Sequence, residues 1–249
     1  MDSDHLASSP CPSALDDRVI AIAGVGGGLG PLVARVLVEA GATVAGTDRH
    51  QDALDSLASD LGLPAERWDG RSVDLLDEDA TRAWRDALVG RFGRVDGLVH
   101  LVGGWRGGEP LHEAPLEDWA FLHDLLVRTL QHTTRAFHDQ IAVSPHGRFV
   151  LVSAKQAQAP TNTNAAYAAA KAAAEAWTLA LADGFEPGGA TANIVVVDAI
   201  LTPRMREENP GEDFPTFTPA EDIAAAIAFL CSDAAEKMNG QRLPLTMGR

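Results

Sequence analysis

The sequence predicts a single-domain α/β protein built on an open, doubly wound parallel sheet. Short, continuously apolar runs alternate with longer helical segments, and no interdomain linker interrupts the 249 residues. Continuous apolar strands indicate a parallel sheet with both faces covered by helices. Right-handed crossovers between such strands then produce a doubly wound sheet. A sheet of this kind often extends to this chain length within one domain.

Each element is predicted from its local pattern. Apolar runs of four to six residues predict strands, and longer segments rich in helix-forming residues predict helices. The segment from Thr202 to Thr218 is rich in Pro, Glu and Asp, which predicts either a mobile flap beside a site or a solvated loop. The predicted strands are Val19–Ala23, Ala42–Thr47, Gly97–Val102, Phe149–Val152 and Ala192–Val197, and the predicted helices are Pro31–Ala40, Gln51–Leu61, Asp77–Phe92, Leu116–Val143, Asn164–Asp183 and Pro219–Cys231.

The composition indicates a globular protein with neither a nucleic-acid nor a membrane partner. Hydrophobic residues make up 46% of the chain and charged residues 22%, as in typical folded domains. The formal net charge of -15 repels phosphate backbones. No apolar run reaches the roughly 18 residues that a membrane-spanning helix needs.

The sequence also predicts the domain limits and the cellular compartment. Residues 1–17 are predicted to be a flexible tail, because they lack the basic and apolar segments of a secretory signal. Residues 18–249 form the predicted domain. The two cysteines, Cys11 and Cys231, are too few for a disulfide framework or a zinc site, and the eight histidines lack metal-binding spacing. We therefore expect a cytoplasmic protein without a metal.

A glycine-rich turn follows the first predicted strand and precedes a helix. Gly24, Gly28 and Gly30 have the spacing G-x-x-x-G-x-G. Glycine permits a positive φ and a close backbone approach, and the start of the helix presents N–H groups and a partial positive charge to a pyrophosphate. The turn therefore predicts a dinucleotide site, although a tight structural turn would need the same residues.

The end of the second strand bears on the choice of cofactor. Asp48 follows Thr47 there and precedes Arg49. A carboxylate at this point can accept both ribose hydroxyls of the adenosine half and repels a 2′-phosphate, which favours NAD over NADP. Arg49 argues in the other direction, because a guanidinium can bind that phosphate. The alternative for Asp48 is an ordinary turn residue.

Tyr167, the only tyrosine of the chain, and Lys171 lie at i and i+4 in a helix-prone run. They therefore share one helix face. A neighbouring ammonium favours a phenolate, which would bring the tyrosine pKa closer to working pH and suit it for general acid–base chemistry. Taken by themselves, these residues favour a surface tyrosine beside a Lys171–Glu175 pair.

Together, the motifs are similar in order and spacing to those of the short-chain dehydrogenase/reductase family, which the chain resembles from about Arg18 to Leu245. Further matches are the Asp74-Leu75 pair, the Thr202-Pro203-x-Met205 segment and Asn239-Gly240-Gln241. The resemblance implies a seven-stranded parallel sheet and hydride transfer between a nicotinamide cofactor and a small-molecule alcohol or ketone. It also implies a homotetramer or homodimer.

The resemblance also implies roles for individual residues. Tyr167 would be the general acid/base, with Lys171 as its activator and as a ligand of the nicotinamide ribose. Asp74 would bind the adenine, and Thr202 with the backbone of Ile200 would hold the nicotinamide amide. The predicted catalytic set is Tyr167, Lys171 and Ser153; the predicted cofactor-binding set is Gly24, Gly28, Leu29, Gly30, Asp48, Arg49, Asp74, Leu75, Leu101, Val102, Gly103, Val152, Tyr167, Lys171, Ile200 and Thr202.

The sequence departs from the family at two catalytic positions. Ala154 stands where the family has a serine that binds the substrate oxygen, and Leu126 stands where it has an asparagine. Ser153 is one residue early, so an extended strand would point it to the opposite face unless a bulge re-aims it. The remaining candidate donors are Gln156, Asn162 and Asn164.

Two further family motifs are altered. His100-Leu101-Val102-Gly103 replaces Asn-Asn-Ala-Gly, and Val197-Asp198 replaces Pro-Gly. We expect His100 to be a hydrogen-bonded structural histidine rather than a catalytic one. The departures leave two hypotheses: an NAD(H)-dependent oxidoreductase, or a catalytically impaired NAD(H)-binding protein that acts as a sensor or an inactive partner subunit. A family member without its cofactor conflicts with the intact glycine turn and Asp48.

Overall fold

A computed structural model of the chain describes residues 14–62 and 65–246. Residues 1–13 of the predicted flexible tail lie outside the described residues. Residues 14–17, which were predicted to belong to that tail, form a turn against the domain. Leu15 is fully buried, and its N–H donates a 2.9 Å hydrogen bond to Ala40 O. The packed domain therefore begins before Arg18.

The fold is a seven-stranded parallel sheet with helices on both faces, which confirms the predicted fold class. The strand order is β3-β2-β1-β4-β5-β6-β9, and β7 and β8 form a separate parallel pair. The strands are β1 (Val19–Ala23), β2 (Thr43–Asp48), β3 (Trp68–Ser72), β4 (Gly97–His100), β5 (Arg148–Ala154), β6 (Thr191–Val197), β7 (Ala199–Leu201), β8 (Phe217–Pro219) and β9 (Arg242–Pro244). The helices are α1 (Gly30–Glu39), α2 (Gln51–Leu61), α3 (Glu78–Phe92), α4 (Leu116–His123), α5 (Thr129–Val143), α6 (Ala165–Phe185), α7 (Pro203–Glu208) and α8 (Ala220–Cys231).

The local patterns did not predict the two strands at the sheet edges, β3 and β9. An edge strand has one neighbouring strand and keeps polar residues, so it lacks a continuous apolar run. In β3, Asp69 is 3% exposed and its carboxylate is paired at 2.6 Å with both Arg71 and Arg91. Such a charged strand is recognised only once the sheet beside it is known.

The long helix predicted from Leu116 to Val143 is divided. A π-helical turn, Asp124–Arg128, joins α4 to α5. Such a turn inserts an extra residue into the helical register and often lies near a functional site. The irregular segment that was predicted after Thr202 contains the short helix α7 and leads into β8.

The core consists of two apolar layers, one on each face of the sheet. Alternate residues of β1 point to opposite layers, because side chains alternate along a strand. Ile20 and Ile22 pack in the layer that α1 and α8 cover, whereas Ala21 packs in the layer that α3, α5 and α6 cover. None of the helices within residues 14–62 and 65–246 is long and apolar enough to cross a bilayer.

Candidate active site

A cleft of about 790 Å³ opens at the carboxyl ends of the central strands. The strand order reverses there between β1 and β4, which is where open α/β sheets bind ligands. All residues of the predicted catalytic and cofactor-binding sets line this cleft: Gly24, Gly28, Leu29, Gly30, Asp48, Arg49, Asp74, Leu75, Leu101, Val102, Gly103, Val152, Ser153, Tyr167, Lys171, Ile200 and Thr202. The fold thus joins segments that lie far apart in the sequence.

The glycine turn needs its glycines for steric reasons. Gly24 has a φ of +84°, and a Cβ on this residue would lie 2.9 Å from Val102 N. A Cβ on Gly30 would lie 2.0 Å from Val25 O, far inside van der Waals contact. The N–H groups of Gly24 and Val25 donate to Thr47 O at 2.9 and 3.0 Å. These bonds hold the turn against the end of β2.

The turn leads directly into α1, whose first residue is Gly30. The first turn of this helix carries no acidic side chain that would repel an anion. The first N–H groups of a helix lack partners within the helix and attract phosphate. The closely packed glycines and this helix start therefore fit the pyrophosphate of a dinucleotide.

Asp48 lies against the same turn. Its Oδ1 accepts hydrogen bonds from the backbone N–H groups of Arg49 at 2.8 Å and His50 at 3.3 Å. Its Oδ2 faces Gly26, where an added Cβ would lie only 2.8 Å away. Two backbone bonds thus fix the carboxylate at the rim of the cleft, where it can accept hydrogen bonds from ribose hydroxyls.

On another side of the cleft, Thr202 is the N-cap of α7, and its Oγ1 accepts a 3.2 Å hydrogen bond from the Met205 N–H. Its methyl carbon would lie 3.4 Å from a Cβ added to Gly28. The turn after β7 therefore reaches across to the glycine turn. Asp74 caps its own local turn, since its Oδ1 accepts from the Leu76 N–H at 3.0 Å.

Tyr167 and Lys171 lie one turn apart on α6 and face the cleft. Lys171 is 7% exposed, and its Nζ donates a 3.0 Å hydrogen bond to Val152 O. The same Nζ lies 6.0 Å from the centre of the Tyr167 ring. Burial lowers the pKa of Lys171 from 10.5 to about 8, and the charge of Glu175 partly opposes this effect.

Burial raises the pKa of Tyr167 from 10.0 to about 12. This differs from the expectation that Lys171 brings the tyrosine pKa towards working pH. At 6.0 Å from the ring centre, the ammonium has less influence than removal of the phenol from water. Since burial disfavours the charged phenolate, Tyr167 keeps its proton at neutral pH.

Ser153 is in the cleft wall, but its hydroxyl is directed elsewhere. Strand β5 pairs with β6 in continuous register through Ser153 and Ala154, so no bulge re-aims the side chain. Ser153 Oγ donates a 2.7 Å hydrogen bond to Glu175 Oε1 and is buried. The structure therefore argues against Ser153 as a substrate-binding residue, because its only proton is already used.

The other candidate hydrogen-bond donors differ in whether they line the cleft. Gln156 lines the cleft, whereas Asn162 and Asn164 do not belong to the described lining. Asn164 Oδ1 accepts a hydrogen bond from the Thr161 N–H. Of the three alternatives, only Gln156 shares the cleft with Tyr167.

Leu126 and His100 show how the altered positions are accommodated. Leu126, in the π turn, is 2% exposed and packs in a small apolar cluster with Ala170, beside Tyr167. His100 is 1% exposed, with its Nδ1 3.2 Å from Thr133 Oγ1. Burial, followed by the nearby charge of Lys171, lowers the pKa of His100 to about 3. The imidazole is therefore neutral and hydrogen-bonded, as expected for a structural histidine.

Several cleft residues were not predicted from the sequence. Phe121, Leu125 and Thr129 come from α4, the π turn and α5, and Asp198 follows β6. Asp198 was visible as a departure from the Pro-Gly pair of the family, but its place in the cleft was not. No sequence signal indicated the three helical residues, because the helix face that meets the cleft is set by tertiary packing.

Comparisons with known proteins agree with this geometry. A family model described as enoyl-(acyl carrier protein) reductase matches residues 24–248. The chain is 28% identical to the D-threitol dehydrogenase of Mycolicibacterium smegmatis over 243 residues, which cover 94% of this chain and 93% of that protein. It is 26% identical to the 7alpha-hydroxysteroid dehydrogenase of Escherichia coli K12, with 94% of each chain covered.

A solved structure gives the same result at the level of the fold. The short-chain type dehydrogenase/reductase from Mycobacterium ulcerans superposes with a TM-score of 0.84 at 27% identity, covering 93% of this chain and 89% of that chain. The family match spans the glycine turn, the Tyr167–Lys171 pair and the turn after β7. This chain belongs to the short-chain dehydrogenase/reductase family.

Proposed function

We propose that the protein is an NAD(H)-dependent oxidoreductase that transfers hydride between the nicotinamide and an alcohol or ketone carbon. One observation carries the proposal: a single cleft joins the glycine turn and Asp48 to Tyr167 and Lys171. The first pair suits a dinucleotide, and the second suits proton transfer to or from a substrate oxygen. The dehydrogenases among the relatives support the reaction class.

The residues present fit a nicotinamide dinucleotide. The start of α1 would hold the pyrophosphate, Asp48 the adenosine ribose, and Asp74 the adenine. Lys171 and Thr202 would hold the nicotinamide half. The bound cofactor supplies the hydride acceptor or donor. Asp48 favours NAD, because its fixed carboxylate repels a 2′-phosphate, and NADP is the less favoured cofactor despite Arg49.

Tyr167 would act directly on the substrate oxygen. Because its pKa is raised to about 12, it holds a proton at neutral pH and can donate that proton to a carbonyl oxygen as a ketone is reduced. Lys171 is fixed by Val152 O and would orient the cofactor and stabilise the phenolate that remains. Ala154 supplies no hydroxyl here. Loss of one such donor elsewhere lowers rates by about 10²–10³-fold, so slow turnover is expected.

A second candidate function is an NAD(H)-binding sensor or inactive partner subunit. The specific observations in its favour are Ala154 at the usual serine position and the apolar cluster around Leu126. This candidate predicts cofactor binding without turnover. A homotetrameric or homodimeric assembly and a cytoplasmic location stay predictions of the sequence under both functions. Light scattering and fractionation would test them.

The deciding experiment combines binding and turnover in one sample. The purified protein is titrated with NADH and with NADPH by fluorescence, and a panel of secondary alcohols and ketones is then screened by nicotinamide absorbance. Tight NADH binding with turnover supports the oxidoreductase. Tight NADH binding without turnover across the panel favours the sensor or inactive subunit, and a preference for NADPH would mean that Arg49 governs the cofactor choice.

A Tyr167→Phe variant is the matched control for any turnover. It removes only the hydroxyl, so folding and cofactor binding should persist while the rate falls by about 10²–10⁴-fold. Turnover that is unchanged in this variant would refute the role of Tyr167 in the proposed mechanism.

A further inference from the structure

Arg242, on the last strand of the sheet, forms an ion pair with Glu175 on the helix that carries Lys171. Arg242 Nε lies 2.6 Å from Glu175 Oε2. The carboxylate side chain is only 2% exposed, whereas the arginine side chain is 39% exposed. Burial of a carboxylate costs free energy unless it is paired and hydrogen-bonded. Arg242 therefore supplies a positive charge that stabilises this carboxylate inside the protein.

Three segments that are distant in sequence donate hydrogen bonds to Glu175. Its Oε1 accepts from Ser153 Oγ on β5 at 2.7 Å. Its Oε2 accepts from Gln158 Nε2 at 3.3 Å and from Arg242 Nε. Because the serine and glutamine side chains are neutral, Arg242 is the one of these three donors whose charge balances the carboxylate. The net charge of this cluster thus depends on Arg242.

The Asn-Gly-Gln segment before β9 fixes the position of Arg242. Asn239 Nδ2 donates to Ala182 O on α6 at 2.8 Å. The Gln241 N–H donates to Asn193 Oδ1 on β6 at 3.0 Å. The sequence singled out this segment without assigning a role to it, and these bonds show that it holds the last strand against both β6 and the helix of Lys171.

Glu175 in turn acts on Lys171, which lies four residues earlier on α6. Residues at this spacing are neighbours, and the charge of Glu175 raises the pKa of Lys171 against the larger effect of burial. The other ionisable groups that face Lys171 are Tyr167 and His100, and both are uncharged at neutral pH. Charged residues in the two adjacent turns have partners of their own: Asp124 with Arg128 at 3.2 Å, and Lys155 with Asp198 at 3.9 Å.

We propose that Arg242 is a positioning residue for the active site: by pairing with Glu175 it limits the negative charge that acts on Lys171. The inference rests on the proposed function for the role of Lys171 in the reaction. Without Arg242, an unbalanced carboxylate would stand one helical turn from the Lys171 ammonium and stabilise it more strongly. Lys171 would then keep its charge to a higher pH.

The charge of Lys171 can be measured without turnover, because the chain contains only three lysines, Lys155, Lys171 and Lys237. In the full-length protein labelled with ¹³C-lysine, an NMR titration follows each side chain, and the signal that is lost in Lys171→Arg identifies Lys171. We expect a midpoint near pH 8 in the wild type. In Arg242→Gln the midpoint should rise by roughly half a pH unit or more.

Three further variants test the route of this effect. Arg242→Lys keeps the charge and should restore a midpoint near that of the wild type. Arg82→Gln removes an exposed partner of Glu78 on α3, outside the cleft lining, and should leave the midpoint unchanged. In Glu175→Gln the midpoint should fall. In that background, the added change Arg242→Gln should have a clearly smaller effect, because the carboxylate through which Arg242 acts is gone.

Two results would overturn the proposal. One is a midpoint that stays in place or falls in Arg242→Gln, and the other is an equal effect of Arg242→Gln with and without the Glu175 carboxylate. Circular dichroism verifies that each variant is folded. If Arg242→Gln is not folded, Arg242→Met takes its place with the same expected outcomes, since it keeps the apolar stem of the side chain.

Turnover separates this inference from the proposed function. If the protein oxidises an alcohol, the alkaline limb of kcat/KM should move to higher pH in Arg242→Gln, together with the NMR midpoint. A limb that stays in place while the midpoint moves would refute the role of Arg242 in the reaction. If no alcohol or ketone is turned over, the proposed reaction fails, and the NMR titration still decides whether Arg242 controls the charge of Lys171.

Discussion

The hydroxyl of Ser153 donates a 2.7 Å hydrogen bond to the carboxylate of Glu175, one helical turn beyond Lys171 on α6. Glu175 is 2% exposed and also accepts a 2.6 Å hydrogen bond from Arg242 Nε on β9. Ser153, one position before the usual serine site, thus forms a contact that links β5 to α6. The charge of Glu175 also raises the pKa of Lys171, against the larger effect of burial.

Replacement Glu175→Gln should shift the pH dependence of activity. Burial lowers the pKa of Lys171 to about 8 and Glu175 opposes this, so removal of the carboxylate lowers that pKa further. The charged form of Lys171 is then lost at lower pH. The alkaline limb of kcat/KM should therefore move to lower pH, as a pH–rate profile with the preferred alcohol would show.

The control for this change is Glu221→Gln. Glu221 is exposed and pairs with Arg206 at 2.9 Å on the surface, so its replacement should leave the alkaline limb in place. An alkaline limb that does not move in Glu175→Gln would contradict the proposed link between Glu175 and Lys171.

The ionisation of Tyr167 can be observed directly, because it is the only tyrosine of the chain. With a pKa of about 12, it should stay almost fully protonated at pH 10 in the folded protein, whereas about half would be ionised in the unfolded chain. Ultraviolet difference spectra at pH 10, with and without denaturant, measure both states. Equal phenolate absorbance in a protein shown to be folded would mean that burial does not raise the pKa.

The replacement Asp48→Ser should relax the proposed preference for NAD. It removes two acceptor oxygens for the ribose hydroxyls and also the negative charge that repels a 2′-phosphate. NADH affinity should therefore fall by roughly tenfold to a hundredfold while NADPH affinity rises. Fluorescence titration measures both. Asp52→Ser, on α2 and outside the cleft lining, should leave both affinities unchanged. If Asp48→Ser leaves the ratio of NADH to NADPH affinity unchanged, another residue determines the cofactor preference.

Two glycine-to-alanine changes should differ in outcome: one should disrupt NADH binding, and the other should raise the free energy of unfolding. At Gly30 the new methyl would lie 2.0 Å from Val25 O, so Gly30→Ala must distort the turn and should abolish tight NADH binding. At Gly90, inside α3, no described atom lies within 4 Å of the added methyl apart from the neighbouring residues and the backbone of the helix itself. Gly90→Ala should stabilise the protein by about 1 kcal/mol. Urea unfolding and NADH titration compare them, and normal binding by Gly30→Ala would contradict the observed geometry.

His100 should make the fold sensitive to mild acid. Its pKa is lowered to about 3 in the folded protein, whereas the unfolded chain takes up a proton near pH 6.5. The unfolded state thus binds more protons below that pH, and stability is lost as the pH falls. From pH 7 to pH 5, this one group contributes about 2 kcal/mol of the loss.

The variant His100→Asn should lose less stability over the same interval, as urea unfolding at both pH values would show. His112→Asn, at a histidine with 73% of its side chain exposed, is the control and should keep the full loss. Identical losses in His100→Asn and the wild type would rule out His100 as a source of acid sensitivity.

The local patterns sufficed to predict the central strands and the two functional motifs. A buried strand such as β1 must be apolar along its whole length, and the glycine turn and Tyr167–Lys171 pair are each complete within a few neighbouring residues. The two edge strands, β3 and β9, were missed. In β3 the reason is the buried carboxylate of Asp69, whose partners Arg71 and Arg91 are known only from the structure. The π turn was missed as well, because its extra residue leaves no distinct pattern.

By itself, the sequence determined the fold class, the location of the glycine turn and the pairing of Tyr167 with Lys171, since each depends on backbone periodicity or on steric limits of single residues. Tertiary structure alone decided which chemistry those residues are able to perform. Burial raises the pKa of Tyr167 against the expected effect of Lys171, and Glu175 takes the Ser153 hydroxyl away from the cleft. Within residues 14–62 and 65–246, Gln156 Nε2 donates to Asp198 while its Oε1 has no hydrogen-bond partner. Solvation and hydrogen-bond partners depend on distant segments, and only folding brings these segments together.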